Sequence, residues 1–219
     1  MFIATAAIGG LNTKVTFITS DATNTNQTTY TSPSFSTLTA NARRLIIIGF
    51  RCTNLTATLT APSSCTVTPN VGSAVAATKI LQNPVGPDAL AFEQIWAAQV
   101  PTGTSATVAI TRAANMTGQV AIIWVGENLK SSTVVGSVIS SLADPASASL
   151  TVQAPGFAVG MGVATSAGSF AWTNLTEDVD SDISNVSYTG AHQSKVTGSS
   201  LLIGLDTDVN CRILAASWR

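Results

Sequence analysis

Apolar and polar residues alternate with a period of two through much of this 219-residue chain. Ala106, Val108 and Ile110 take turns with Thr107, Ala109 and Thr111, a spacing that sends successive side chains to opposite faces of a sheet. This stretch closes a strand–turn–strand unit that begins with residues 92–100 and reverses through Pro101-Thr102-Gly103-Thr104-Ser105. Pro101 cannot donate to a ladder and Gly103 tolerates positive φ, so the five residues suit a reversal. Further on, Ala148, Leu150 and Val152 oppose Ser149, Thr151 and Gln153. After Pro155-Gly156, bulky Phe157, Val159, Met161 and Val163 oppose small Ala158, Gly160, Gly162 and Ala164. The last strand sets Leu214, Ala216 and Trp218 against Ile213, Ala215 and Ser217.

Residues 43–50 follow two arginines with a continuous β-branched run, which reads as a central strand covered on both faces. Residues 119–125, apolar after Gln119, read as a second strand long enough to cross a sheet. Asn115-Met116-Thr117-Gly118 reads as a turn before the second run, residues 56–60 as a short strand, and residues 84–88 as a loop. Near the start, Ile8-Gly9-Gly10-Leu11 suggests a turn and Val15-Thr16-Phe17-Ile18 one strand. Residues 20–29 are Thr/Asn-rich and have little to bury, which suits either a mobile loop or an arm ordered by a partner. No stretch beyond about ten residues keeps a helical period. The pattern predicts an all-β fold: a two-sheet antiparallel sandwich, jelly-roll-like, over residues 31–219, with an N-terminal arm over residues 1–30 that serves assembly.

Charged residues are only 10% of the chain and the net charge is −1. That balance gives no electrostatic footprint for nucleic acid or anionic lipid. So weakly charged a surface is poorly protected against association, which suits a protein covered by neighbours or a Thr-rich binding module. The opening residues lack a basic leader and no apolar run approaches the length of a membrane span, so no membrane insertion is expected. Cys52, Cys65 and Cys211 form no metal-binding spacing. Cys52 and Cys65 could bridge in a secreted chain, but buried free thiols are the favoured reading.

Candidate chemistry is sparse. Asp178, Asp180 and Asp182 have a D-x-D-x-D spacing in what reads as an acidic loop, a candidate cation site that Asp206 and Asp208 could complete. Ile183 stands where an EF-hand needs Gly, however, and Thr189 where it needs Glu, so a solvated turn is favoured. His192 is the only histidine; Ser194 lies near it without a nucleophile-elbow motif. Glu93 and Glu127 are a conceivable glycosidase pair. Trp96, Trp124, Trp172 and Trp218 could stack sugars, although all four sit in strand patterns that favour core packing. No catalytic residue and no cofactor is assigned.

Several stretches together resemble small jelly-roll-type virion structural proteins of tailed bacteriophages. They are residues 42–48, residues 95–108 (Ile95-Trp96-Ala97 through Thr107-Val108), residues 170–178 and the closing Ala215-Ala216-Ser217-Trp218. The resemblance covers roughly residues 34–219 and brings no catalytic residue with it. It implies a non-enzymatic component of the virion, synthesised in the host cytoplasm: a capsid decoration, head fibre, spike or tail accessory protein. Its partners would be other virion proteins and further copies of itself, with no nucleic acid. The alternative is a carbohydrate-binding module that adheres to host surface glycans, which needs exposed aromatic side chains.

Overall fold

The computed structural model describes residues 13–54, 61–83, 91–164, 166, 168–183 and 186–219. The turn expected at residues 8–11, the strand at 56–60 and the loop at 84–88 lie outside these. In chain order the first strands are β1 (Lys14–Thr23), β2 (Gln27–Thr31), β3 (Phe35–Ser36), β4 (Leu45–Asn54), β5 (Ser64–Pro69) and β6 (Val75–Ala76). Next come β7 (Thr78–Gln82), β8 (Ala91–Gln99), β9 (Ser105–Glu127), β10 (Gly136–Ile139), β11 (Ala146–Thr151) and β12 (Gly156–Ala164). The chain ends with β13 (Ala171–Thr173), β14 (Thr176–Ile183), β15 (Val186–Val196), β16 (Ser200–Asp206) and β17 (Cys211–Trp218). The protein is all-β, with antiparallel sheets packed as a sandwich-like, near-barrel fold consistent with a jelly-roll-like arrangement.

The first sheet has the order β6-β5-β9-β4-β8-β7, with β1, β2 and β3 also paired to β9. Its spine is β9, 23 residues long. The N-terminal half of β9 pairs with β2, β3 and β5, and its C-terminal half with β1 and β4. The turn expected at Asn115–Gly118 is instead a bend within this strand. The β2 register jumps from Thr29↔Thr111 to Gln27↔Met116, the β4 register skips between Arg51 and Thr53, and Gly118 has φ +51°. Turn-forming residues here produce bulges, which bend a strand without ending it.

The bend carries β9 from one wall of a core to the other. Tyr30, Cys65, Val67, Ala106, Val108 and Ile110 meet Ile46, Ile48, Phe50, Phe92, Trp96 and Ile123 in this first core. The alternate residues Leu45, Ile47, Ile95, Ile122 and Trp124 face the other way. There they meet Phe157, Val159, Met161, Leu214, Ala216 and Trp218 from a second sheet, ordered β10-β17-β12-β15-β14. The run expected to be covered on both faces, and the second apolar run beside it, are therefore covered by two different cores. A third, three-stranded sheet, β11-β16-β13, adds to the two sheets expected and covers the far side of the second. The small face of β12 permits that approach: a Cβ on Gly162 would lie 2.4 Å from Leu205 Cδ2 and 2.6 Å from Thr189 Cγ2.

The polarity that suggested an arm over residues 1–30 has another origin within residues 14–31. Lys14–Thr23 pairs with Glu127–Gln119, and β2 continues along β9. Val15 and Tyr30 are buried, and the Tyr30 hydroxyl donates to Asp21 Oδ2 at 2.7 Å, tying β1 to β2. These are border strands of a sheet, held by main-chain bonds that need few apolar side chains. Residues 1–12 lie outside the described residues.

Arg44 fixes the start of β4. Fully buried, it donates from Nε to Val100 O (2.8 Å), from Nη1 to Thr37 O (3.0 Å), Thr39 O (3.1 Å) and Gly103 O (2.9 Å), and from Nη2 to Thr102 O. One guanidinium thus ties the β3–β4 connection to the β8–β9 turn.

Trp218 is fully buried and stacks on Phe157, with ring centroids 5.6 Å apart. Trp218→Ala is expected to destabilise the fold by about 3–5 kcal/mol, as a large-to-small core change does. Trp218→Phe should lose much less, because the buried Nε1–H has no acceptor to forfeit. Urea denaturation of both variants measures the difference, and equal losses would contradict the packing role.

Candidate functional site

The acidic segment is the edge strand β14, paired on one side with β15. Carboxylates suit such an edge because their charge discourages pairing with a foreign strand. Between Glu177 and Val179 the ladder slips by one residue, leaving Asp178 in a bulge. Val179 and Ile183 pack into the core between the first two sheets, so Asp180 and Asp182 point to the opposite face. There Asp180 Oδ2 accepts from Phe170 N at 3.3 Å, and Asp182 Oδ1 accepts from the Ser187 hydroxyl. The bulge turns Asp178 inward instead. The three carboxylates therefore do not converge on one point, and among the described residues no group of three His, Cys, Asp or Glu side chains could hold a metal ion.

What the bulge does assemble is a three-membered polar chain. Trp124 Nε1 donates to Asp178 Oδ2 at 2.8 Å, and His192 Nδ1 lies 2.7 Å from Asp178 Oδ1. The Asp178 side chain is 6% exposed and that of His192 22%. The chain links β9 of the first sheet to β14 and β15 of the second. A carboxylate bonded to Nδ1 fixes the ring orientation of an imidazole, as in acid–base sites. The nearby hydroxyl is committed elsewhere, since Ser194 Oγ accepts from Val15 N and donates to Val15 O, both at 3.1 Å. The pair thus pins β1 and β9 against β15. Sequence reading singled out Asp178 and His192 separately and did not join them. The available signal was the antiparallel register that sets Thr176 opposite His192, invisible while the segment was read as a loop.

The two candidate glutamates are kept apart by the same logic of register. Glu93 is opposite Arg51 near one end of the β4–β8 ladder. Glu127 sits at the far end of β9, beyond Gly126, which pairs with Leu45. Six residues of strand separate Leu45 from Arg51, about 20 Å at the usual rise, too far for a glycosidase pair. Glu127 is bonded to Lys14 at 2.8 Å. Glu93 is buried and accepts from Asn83 Nδ2 at 2.5 Å, with Arg212 Nη1 3.9 Å away. Burial pushes its carboxyl up, while Arg51, Asn83 and Arg212 pull it down.

Of the four tryptophans, Trp96, Trp124 and Trp218 are buried. Trp172 is half-buried, with its Nε1 donating to Thr189 Oγ1 at 2.9 Å. The three cysteines are free and buried. No family model matches the chain, and no curated protein or solved structure is significantly similar to it.

Asp178→Ala is expected to cost about 1–3 kcal/mol, because it strands the buried Trp124 N–H without an acceptor. Asp178→Asn should recover part of this through its amide oxygen. Chemical denaturation measures both, and a neutral alanine variant would dissolve the tie between the sheets.

Burial pushes the Cys52 and Cys65 thiols up to about 12. Thiolate is the reactive form, so a thiol reagent at pH 8 should modify the native protein slowly and the denatured chain fast at all three cysteines. The folded thiols keep protons that unfolded ones release above about 9. Stability therefore falls as pH climbs past that value. Rapid native modification of Cys52 or Cys65 would contradict their burial.

Proposed function

We propose that this protein is a non-enzymatic structural component acting through protein–protein contacts, and specifically a virion protein of the tailed-bacteriophage type suggested by its sequence resemblance. One observation carries the contact-surface reading: apart from Asp206 at one end of β16, the outward face of β11, β16 and β13 carries no charged side chain among the described residues. Ser147, Ser149, Thr173, Ser200 and Leu202 all lie on it. Leu202 is 60% exposed at its middle, and Ser149 Oγ and Ser200 Oγ lie 2.8 Å apart across the ladder. A face whose middle carries no charge to repel a neighbour favours association. The polar groups with chemical potential, meanwhile, tie strands and sheets together. The glycan-adhesion alternative draws little support, since three of its four candidate aromatics are in the core.

No helix among the described residues is long and apolar enough to cross a membrane. Cross-linking mass spectrometry on purified phage particles, paired with sedimentation velocity of the isolated protein, tests the proposal. The protein should be recovered in particles, with cross-links from the β11–β16 face to itself or to another virion protein. Leu202→Glu should leave the melting temperature unchanged and abolish that association. Absence from particles would overturn the virion assignment. An unaffected Leu202→Glu variant would move the contact to another surface.

A further inference from the structure

We infer that a cleft between the start of β4, the end of β8 and residues 129–132 binds a small oxyanion, a carboxylate or phosphate borne by a sugar-sized ligand. The cleft measures about 250 Å3 and is lined by Arg43, Gln99, Lys130, Ser131 and Ser132, with Arg44 in its lining as well. Among the described residues no carboxylate lines it, although acidic residues outnumber basic ones in the chain. Arg43 and Lys130 are exposed, while Arg44 is fully buried. Every hydrogen bond that the Arg44 guanidinium makes goes to a carbonyl oxygen. These satisfy its N–H groups without neutralising its charge, so a positive potential persists beneath the cleft. Glu127, the carboxylate whose field reaches Arg44, is itself paired with Lys14.

The walls are set before any ligand arrives. Leu129 is buried in the second core and its N–H donates to Arg43 O at 3.3 Å. The N–H groups of Lys130 and Ser131 donate to Arg219 O at 2.8 and 3.0 Å, and Gln99 Nε2 donates to Ala42 O at 2.8 Å. Ser131 Oγ accepts from Thr133 N at 3.0 Å, which leaves its O–H to donate into the cleft. Two cations at the rim, a hydroxyl donor and a buried positive charge form an oxyanion site whose main-chain framework is set in advance, so that only the exposed Arg43 and Lys130 side chains are ordered at binding. Leu45 and Leu129 supply apolar contact for a carbon skeleton.

Nuclear magnetic resonance titration of the full chain at low ionic strength tests this, with inorganic phosphate, glucuronate and neutral glucose as probes. Phosphate and glucuronate are expected to shift the amides of Leu45, Lys130, Ser131 and Ser132 saturably, and glucose to leave them unmoved. Tighter binding of glucuronate assigns a sugar-borne carboxylate, and tighter binding of phosphate a phosphate ester. Arg43→Gln and Lys130→Gln should each weaken binding about tenfold, the loss of one charge-assisted bond. Lys195→Gln, an exposed cation elsewhere, should change nothing. Shifts that fail to saturate, an equal response to glucose, or Arg43→Gln and Lys130→Gln variants that bind as tightly as the parent would each overturn the inference.

Discussion

The C-terminal half of β9 has neither a free face nor a free edge, and the rest of the molecule is arranged to make that possible. Its edges are taken by β1 and β4. Ile123 and Val125 fill one core while Ile122 and Trp124 fill another. Burying each such side chain contributes about 1.5–3 kcal/mol, but only when both neighbouring layers are present. The two cores are therefore coupled through one backbone, and neither forms alone. The main-chain groups of a strand so enclosed must all find partners. That requirement explains why the polar residues of β1 are drawn into the sheet: they cover the edge that β9 would otherwise bury unpaired.

Where burial leaves a mark on local sequence, the fold was legible. The apolar runs of β4 and β9, the bulk-against-small alternation of β12 and the period-two alternation of β17 each state which faces are covered. The structure agrees with them residue by residue. What escaped was structure held by partners rather than by its own side chains. β1 and β2 are rich in Thr and Ser, and their strand character resides in hydrogen bonds to residues about a hundred positions away. β14 looked like a solvated loop because its carboxylates guard an edge. The bend in β9 looked like a turn because bulges and turns recruit the same residues. Likewise Asp178 and His192 were each visible as chemistry, yet their meeting depends on a one-residue bulge that no spacing rule encodes.

Much of the buried polarity works as cross-layer fastening. Arg44 ties two connections, the Trp124–Asp178–His192 chain ties two sheets, and Glu93 gathers Asn83 and Arg212 beside Arg51. Such groups gain little net stability, because desolvation offsets most of their attraction. Their consequence is specificity: a sheet sliding by one residue past its neighbour would leave several buried charges unpaired, at a cost of kcal/mol each. Apolar packing alone is more tolerant of such slips. In a protein with small, interchangeable Ala, Val and Ile side chains across its layers, the polar ties supply the register.

The same division of labour bears on which surface is used. The edge strand β14 carries Glu177, Asp180 and Asp182, an arrangement that repels a strand approaching from the side. The outer face of the third sheet has one carboxylate, Asp206 at the end of β16; Ser, Thr and Leu202 line the rest, while Leu150, Ile203 and Leu205 hold its inner face to the core. That inner attachment is close because Gly160 and Gly162 offer no side chain to keep the sheets apart, so the third sheet is a fixed platform. A platform so held, with its one carboxylate at the margin, forfeits little entropy when a neighbour docks on it, whereas the acidic edge would have to bury several charges. Contact across the face is thus favoured over strand addition at the edge, and it leaves the residues lining the cationic cleft near Arg43 free to meet a small ligand.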